Sequence, residues 1–250
     1  MPGRLQARRN SYVIYQKMWG FVDCLYPPHC GGCEKPGSRW CAECQSQVTL
    51  IGDYCCPICG QAQTHPGVCT QCRTQPHSVK AIRSWAIFEG PLRNALHRLK
   101  YARDIGLGEV LSRHLIDLLS DLGWDIDCII PVPLGAVRQS QRGYNQTALL
   151  AYPLALATGI AYKSKGLKKI KETRTQVGLT IEQRHENVAG AFLADPKIVK
   201  NRKVLLIDDV TTSGATIESC ASAIMIADAD QVFGMTLARA RRSSASVHAT

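Results

Sequence analysis

The chain has 250 residues, 45% of them hydrophobic and 20% charged, which is the make-up of an ordinary globular protein with room for one sizeable core and a small appendage. Its apolar runs fall short of the roughly 20 residues a membrane helix needs, and Gln16 and Lys17 interrupt the stretch from Tyr12 to Val22, so a secretory leader is not expected either. The formal net charge of +10 is clustered: Arg4, Arg8, Arg9 and Lys17 precede the first acid, Asp23, and Lys163, Lys165, Lys168, Lys169, Lys171 and Arg174 face only Glu172. Such clusters favour polyanions, although each also suits an ordinary solvated loop. The expected location is the cytoplasm, where paired cysteines mean metal more often than disulfides.

Ser11 to Leu25 mixes apolar and aromatic residues and suits a short amphipathic helix. Ten of the twelve cysteines lie before residue 73, and eight of them form C-x-x-C pairs: Cys30/Cys33, Cys41/Cys44, Cys56/Cys59 and Cys69/Cys72. Each pair offers two thiolates from one tight turn, and two such turns close a tetrahedral zinc site. Chain order gives Cys30, Cys33, Cys41 and Cys44 as one site and Cys56, Cys59, Cys69 and Cys72 as the second; spacing also permits a crossed arrangement, and iron–sulfur ligation is the competing metal chemistry. Gly31, Gly32 and Gly60 are expected to give the turns positive φ. With thiolate at every position the zinc is structural, and so few large apolar residues lie here that metal must supply much of the folding free energy. Cys24, Cys55, His29 and His65 are read as packing or surface residues.

Gln75 to Arg83 is the expected linker, dividing an N-terminal basic and cysteine-rich domain (1–76) from a second domain (77–250). Ser84 to Phe88 is strand-like, and Pro91 is placed to open a helix with Leu92, Ala95, Leu96 and Leu99 on one face and Arg93, His97 and Lys100 as a basic stripe. That stripe is either a solvated edge or an anion groove. Leu107, Leu111, Leu115, Leu118 and Leu119 continue the helical spacing; Gly106-x-Gly108 lacks the third glycine and preceding strand of a dinucleotide site. Cys128 to Pro133 is a buried strand ending in a small turn, followed by Arg138 and Arg142, whose guanidinium groups suit phosphate, and by Gly143 to Gln146 opening a helix that Pro153 should kink. Lys171 to Ala194 is expected to be a loop with a helix over Ile181 to Val188, Val232 to Arg239 a strand, and Arg241 to Thr250 a frayed basic tail.

Val204 to Thr216, VLLIDDVTTSGAT, carries the chemistry. Val204, Leu205, Leu206 and Ile207 are β-formers without alternation, the pattern of a strand buried on both faces in a parallel sheet. Ligands of such sheets bind beyond the carboxyl ends of strands, where Asp208 and Asp209 offer neighbouring acceptors suited to a diol. Thr211, Thr212, Ser213, Gly214, Ala215 and Thr216 then supply hydroxyls and backbone N–H groups at the start of a helix (Ala215 to Ala227), a ready phosphate site.

This stretch resembles the fingerprint of the type I phosphoribosyltransferases. The resemblance implies a mostly parallel α/β sheet flanked by helices, with Asp208 and Asp209 on the ribose hydroxyls of phosphoribosyl pyrophosphate, Thr211 to Thr216 on its 5′-phosphate, and Mg²⁺ accompanying it. Arg138 and Arg142 then fall beside a pyrophosphate loop, and Arg174 and Arg184 on a hood that closes over it. The cysteine pairs together with EGPLRNALHRLKYARD, PVPLGAVRQSQRGYNQ, TRTQVGLTIEQRHENVAGAF and VLLIDDVTTSGAT further resemble the competence protein F (ComF) family over nearly the whole chain. That resemblance implies a double zinc ribbon joined to a phosphoribosyltransferase-like domain. It also implies a role in natural transformation, with single-stranded DNA, phosphoribosyl pyrophosphate or a related nucleotide, and other DNA-uptake proteins as partners. The alternative is an active transferase with an unknown acceptor, since Mg²⁺ and arginine stabilising departing pyrophosphate can carry the chemistry.

Overall fold

The computed structural model describes residues 2–52, 54–171 and 190–241. In chain order they form α1 (Pro2–Leu25), α2 (Ala42–Ser46), α3 (Thr70–Thr74), β1 (Ala81–Ile87), α4 (Gly90–Tyr101), α5 (Leu107–Leu122), β2 (Cys128–Pro131), α6 (Ala136–Arg142), α7 (Gln146–Thr158), β3 (Ala161–Tyr162), β4 (Leu167–Lys169), β5 (Phe192–Ala194), α8 (Pro196–Val199), β6 (Lys203–Thr211), α9 (Ala215–Ile226) and β7 (Gln231–Arg239).

Five strands pair in the order β1-β7-β6-β2-β3, every neighbour parallel. β6 is flanked by β7 and β2, with Leu205 in register with both Phe233 and Ile129. The absence of alternation in Val204 to Ile207 now has its reason. Leu205 and Ile207 enter one core with Leu92, Leu96 and Leu99 of α4, Leu107, Leu111 and Leu115 of α5, and Leu150 and Leu154 of α7. Val204 and Leu206 enter a second core with Ile217, Cys220 and Ile224 of α9 and Phe192 of the antiparallel β4–β5 pair. Burying each such aliphatic side chain contributes about 1.5–3 kcal/mol, so the strand is stabilised from both faces at once.

Several expectations shift in detail. β1 opens at Ala81, inside the stretch expected to be linker, because Lys80 already donates its N–H to the Val232 carbonyl at 2.7 Å. The strand expected over Val232 to Arg239 forms as β7, one residue longer, and lies between β1 and β6. Helix α7 runs through Pro153 without ending; the Leu149 carbonyl, which the missing Pro153 N–H would have engaged, faces Gly108, where an added Cβ would stand 2.8 Å from that oxygen. Close approach, and not a dinucleotide, accounts for that glycine. Helix α1 is longer than expected and rests on α7 through Tyr15 and Tyr152, whose rings meet edge-on at 5.8 Å. Among the described residues no helix is long and apolar enough to cross a membrane.

Candidate functional site

β6 continues past the acids to Thr211, so Asp208 and Asp209 sit within the last turns of pleat at its carboxyl end, 9% and 3% exposed. Their environments differ. Asp209 forms an ion pair with Lys100 of α4 and accepts from Gln146 Nε2 at 3.1 Å, and Arg142 in turn donates to the Gln146 side-chain oxygen. Burial alone would raise its carboxyl, but Lys100 and Gln146 outweigh burial and hold it below the ordinary carboxylate range. Asp208 Oδ1 accepts the Asp209 N–H at 2.9 Å. Burial, then the neighbouring Asp209 charge, push its carboxyl up to about 8. The carboxyl beside Lys100 thus keeps its charge, and its neighbour holds its proton more tightly than an ordinary carboxyl does.

A pH dependence follows. Because folded Asp208 holds its proton more tightly than the unfolded chain does, the stability it contributes is complete below the ordinary carboxylate range and is lost as pH rises through about 8. The melting temperature is expected to fall more steeply between pH 6 and pH 9 in the wild type than in Asp208→Asn; parallel profiles by differential scanning calorimetry would show that Asp208 does not titrate there.

After β6 the chain turns through Thr212 and Ser213 to Gly214, whose φ of +87° falls in the left-handed region open to glycine. Gly214 is the N-cap of α9 and has no side-chain oxygen to cover the helix start, and Ser213 Oγ accepts only the Ala215 N–H, at 3.4 Å. Hydroxyls and the first amides of α9 thus follow the acids within a few residues of the end of β6.

The stretch Gly143 to Gln146 positions the opposite wall. Gly143 caps α6 in the left-handed region, Tyr144 donates its hydroxyl to the Leu99 carbonyl at 2.6 Å, and Asn145 caps α7 by accepting the Thr147 N–H at 3.1 Å. These contacts aim Gln146 at Asp209. Beside them lies a cavity of about 280 Å³ lined by Lys100, Tyr101, Arg103, Arg138, Gln141 and Arg142. Arg138 and Arg142 therefore share one cationic recess, with the Arg142 guanidinium 5.2 Å from the Tyr101 ring centroid. Lys100, Arg103 and Gln146 were not singled out as site residues from the sequence. The basic stripe of α4 marks Lys100 as a cation on a solvated edge or an anion groove, but only the sheet brings it to Asp209. Arg174 and Arg184 lie outside the described residues.

The cysteines gather in chain order, Cys30, Cys33, Cys41 and Cys44 in one group and Cys56, Cys59, Cys69 and Cys72 in the other, all ligand atoms of each group within 4.8 Å of one another. Sulfur pairs Cys33–Cys41 and Cys59–Cys69 are each 3.7 Å apart, close to the ~3.8 Å edge of a zinc tetrahedron with Zn–S bonds of about 2.3 Å. Burial pushes Cys30 and Cys56 up, yet backbone N–H groups aimed at their sulfurs, led by those of Cys41 and Cys69, bring both down to about 6, while burial drives Cys44 and Cys72 well up. Four thiolates this close demand a cation at their centre, and the donor set fits structural zinc. One detail differs from expectation. The left-handed position after each first pair belongs to Gly60 (φ +71°) in the second group but to Glu34 (φ +64°) in the first. Gly31 and Gly32 are required for space: a Cβ there would stand 2.6 Å from a Leu107 methyl and 2.7 Å from Cys44 Sγ.

The profile of the family described as "Double zinc ribbon domain" matches residues 21–73. The chain is 30% identical over 209 residues to the DNA utilization protein YhgH of Salmonella typhimurium, covering 80% of this chain and 91% of that protein. It is also 30% identical over 209 residues to Competence protein F of Haemophilus influenzae, covering 80% and 90%. The chain belongs to the competence protein F (ComF) family. Among solved structures, the glutamine phosphoribosylpyrophosphate amidotransferase from B. subtilis complexed with ADP and GMP aligns with 53% of this ComF chain and 27% of its own at 20% identity and a TM-score of 0.38, so the chain spans about a quarter of that protein's length. The ComF chain joins a five-stranded parallel sheet to a double zinc ribbon.

Proposed function

We propose that this protein binds Mg²⁺ and phosphoribosyl pyrophosphate, or a related nucleotide, at the end of β6, and that it acts in the cytoplasm on single-stranded DNA in competence and DNA utilisation. The observation that carries the ligand reading is the juxtaposition of Asp208 and Asp209, the glycine-headed turn of α9 and the four-cation recess of Lys100, Arg103, Arg138 and Arg142. Donors for a monophosphate, acceptors for a diol and guanidinium groups for a pyrophosphate are the three kinds of contact such a ligand calls for. Asp209 is already committed to Lys100, so a diol competes with an ammonium for this carboxylate. Once displaced, that ammonium remains in the recess, where pyrophosphate charge would take it up. Mg²⁺, when bound, would supply further neutralisation of the pyrophosphate.

Calorimetric titration with Mg²⁺ and phosphoribosyl pyrophosphate tests this reading. Wild type is expected to bind, and Asp208→Asn/Asp209→Asn to bind about 50-fold more weakly, the loss of one hydrogen bond to a charged carboxylate at about 1.5 kcal/mol and one to a carboxyl that holds its proton at about 1 kcal/mol. Equal affinity in both would remove the cradle. Pyrophosphate release with a panel of bases and amines then decides whether transfer follows binding.

The DNA reading is supported by the names of the relatives and by the net charge of +10. Aromatic residues are only 6% of the chain, which leaves few stacking platforms, so the affinity should come from phosphate contacts. Binding to single strands is expected to be sequence-independent and to weaken with salt, the logarithm of the association constant falling by about 0.7 per tenfold increase in salt for each phosphate neutralised. Fluorescence anisotropy that holds constant across ionic strength would contradict it.

A further inference from the structure

Arg239 ends β7 and is 2% exposed, among the most deeply buried large side chains of the protein. It is in register with Thr211 of β6 and Ile87 of β1, which places it at the carboxyl edge of the sheet, directly behind the turn from Thr211 to Thr216. Its guanidinium donates through Nη2 to the carbonyl of Cys59 and through Nη1 to the carbonyl of Thr212, the latter at 3.3 Å. One side chain thus spans the second cysteine quartet and the phosphate turn.

The quartet is clamped to the sheet at the same place. Ile82 donates its N–H to the Ile58 carbonyl at 2.6 Å, Arg83 Nη1 donates to the Pro57 carbonyl at 2.9 Å, and a Cβ on Gly60 would stand 2.4 Å from the Ile82 carbonyl oxygen. The first quartet is anchored elsewhere, on α4, where Asn94 Nδ2 donates to the Gly32 carbonyl at 3.0 Å. A desolvated guanidinium is stable only while its N–H groups are taken. The Cys59 carbonyl keeps its place because Cys59 Sγ is tied into the tetrahedral set.

We propose that Arg239 is a positioning residue through which metal occupancy of the second quartet, and not of the first, holds the turn from Thr211 to Thr216 in its ligand-receiving shape. The purpose of that coupling rests on the phosphate-turn reading above; the mechanical link does not. When the second quartet loses its metal, the Cys59 carbonyl moves, Arg239 loses one acceptor, and the turn loses the brace on Thr212.

Hydrogen–deuterium exchange of the full chain, read by mass spectrometry on peptides covering residues 208–216, tests the link without any ligand. Opening the second quartet with Cys69→Ser/Cys72→Ser is expected to speed exchange in the turn by about tenfold or more. Opening the first with Cys41→Ser/Cys44→Ser should change it by less than about twofold, each variant retaining one zinc by colorimetric release. Arg239→Met should speed turn exchange with both zinc ions retained, and Arg239→Lys should restore part of the protection. Equal exchange in the two cysteine variants, or a turn unchanged when the second zinc is gone, overturns the proposal. If Arg239→Met does not fold, the comparison of the cysteine variants decides alone. Failure of the wild type to bind phosphoribosyl pyrophosphate would remove the function proposed above and leave this exchange result standing.

Discussion

Removing both metal ions with a strong chelator is expected to unfold the region from about residue 28 to residue 74 while the parallel sheet persists. The region's own apolar cluster consists of Cys56, Cys69 and Cys72, with Ile58, Cys59 and Val68 packed against it. Its helices, α2 and α3, have five residues each, far below the ~12–15 needed for a helix to be even marginal alone. Structural zinc contributes an apparent 10–16 kcal/mol per site at neutral pH, roughly the whole stability of an ordinary domain. The sheet has two cores of its own, one on each face. Limited proteolysis should then cut first within residues 28–74, and zinc added back should restore the original digest. Loss of the sheet's far-ultraviolet circular dichroism at the same chelator concentration would show that the ribbons and the sheet fold as one unit.

Asp209→Asn is expected to destabilise the protein by about 3 kcal/mol, the cost of leaving one member of a buried pair without its partner. The Lys100 side chain is 23% exposed and that of Asp209 5% exposed. Burial works to lower the Lys100 ammonium, yet Asp209 carries it above its ordinary value. Without the carboxylate, Lys100 faces Arg103, Arg138 and Arg142 across a small recess, where like charges repel. The double variant Lys100→Met/Asp209→Asn should therefore recover much of the loss, giving a favourable coupling in a double-mutant cycle from urea melts. Strict additivity would mean that the pair contributes nothing in the folded state. The same cycle probes the cradle, because a diol that must displace Lys100 should bind more tightly to Lys100→Met than its lost positive charge alone would suggest.

The local rules were enough for much of this molecule. Eight cysteines in four tight pairs point to two four-sulfur sets, because each C-x-x-C turn presents two sulfurs together, and the structure closes the sets in chain order. An unbroken β-branched and leucine run specifies a strand buried on both faces, and the small hydroxyl-rich turn after it marks a helix starting at Ala215. Each of these depends on neighbours within a few positions. What the sequence could not disclose depends on residues far apart in it. Lys100 reaches Asp209 across more than a hundred residues because α4 and β6 pack on one core. Gln146 is aimed at the same carboxylate because Asn145 and Tyr144 pin the start of α7. Arg239, in sequence one more cation near a basic tail, becomes a buried brace between ribbon and turn because parallel pairing sets it beside Thr211. Charge pairing acts through space, and only the completed sheet determines which charges are near.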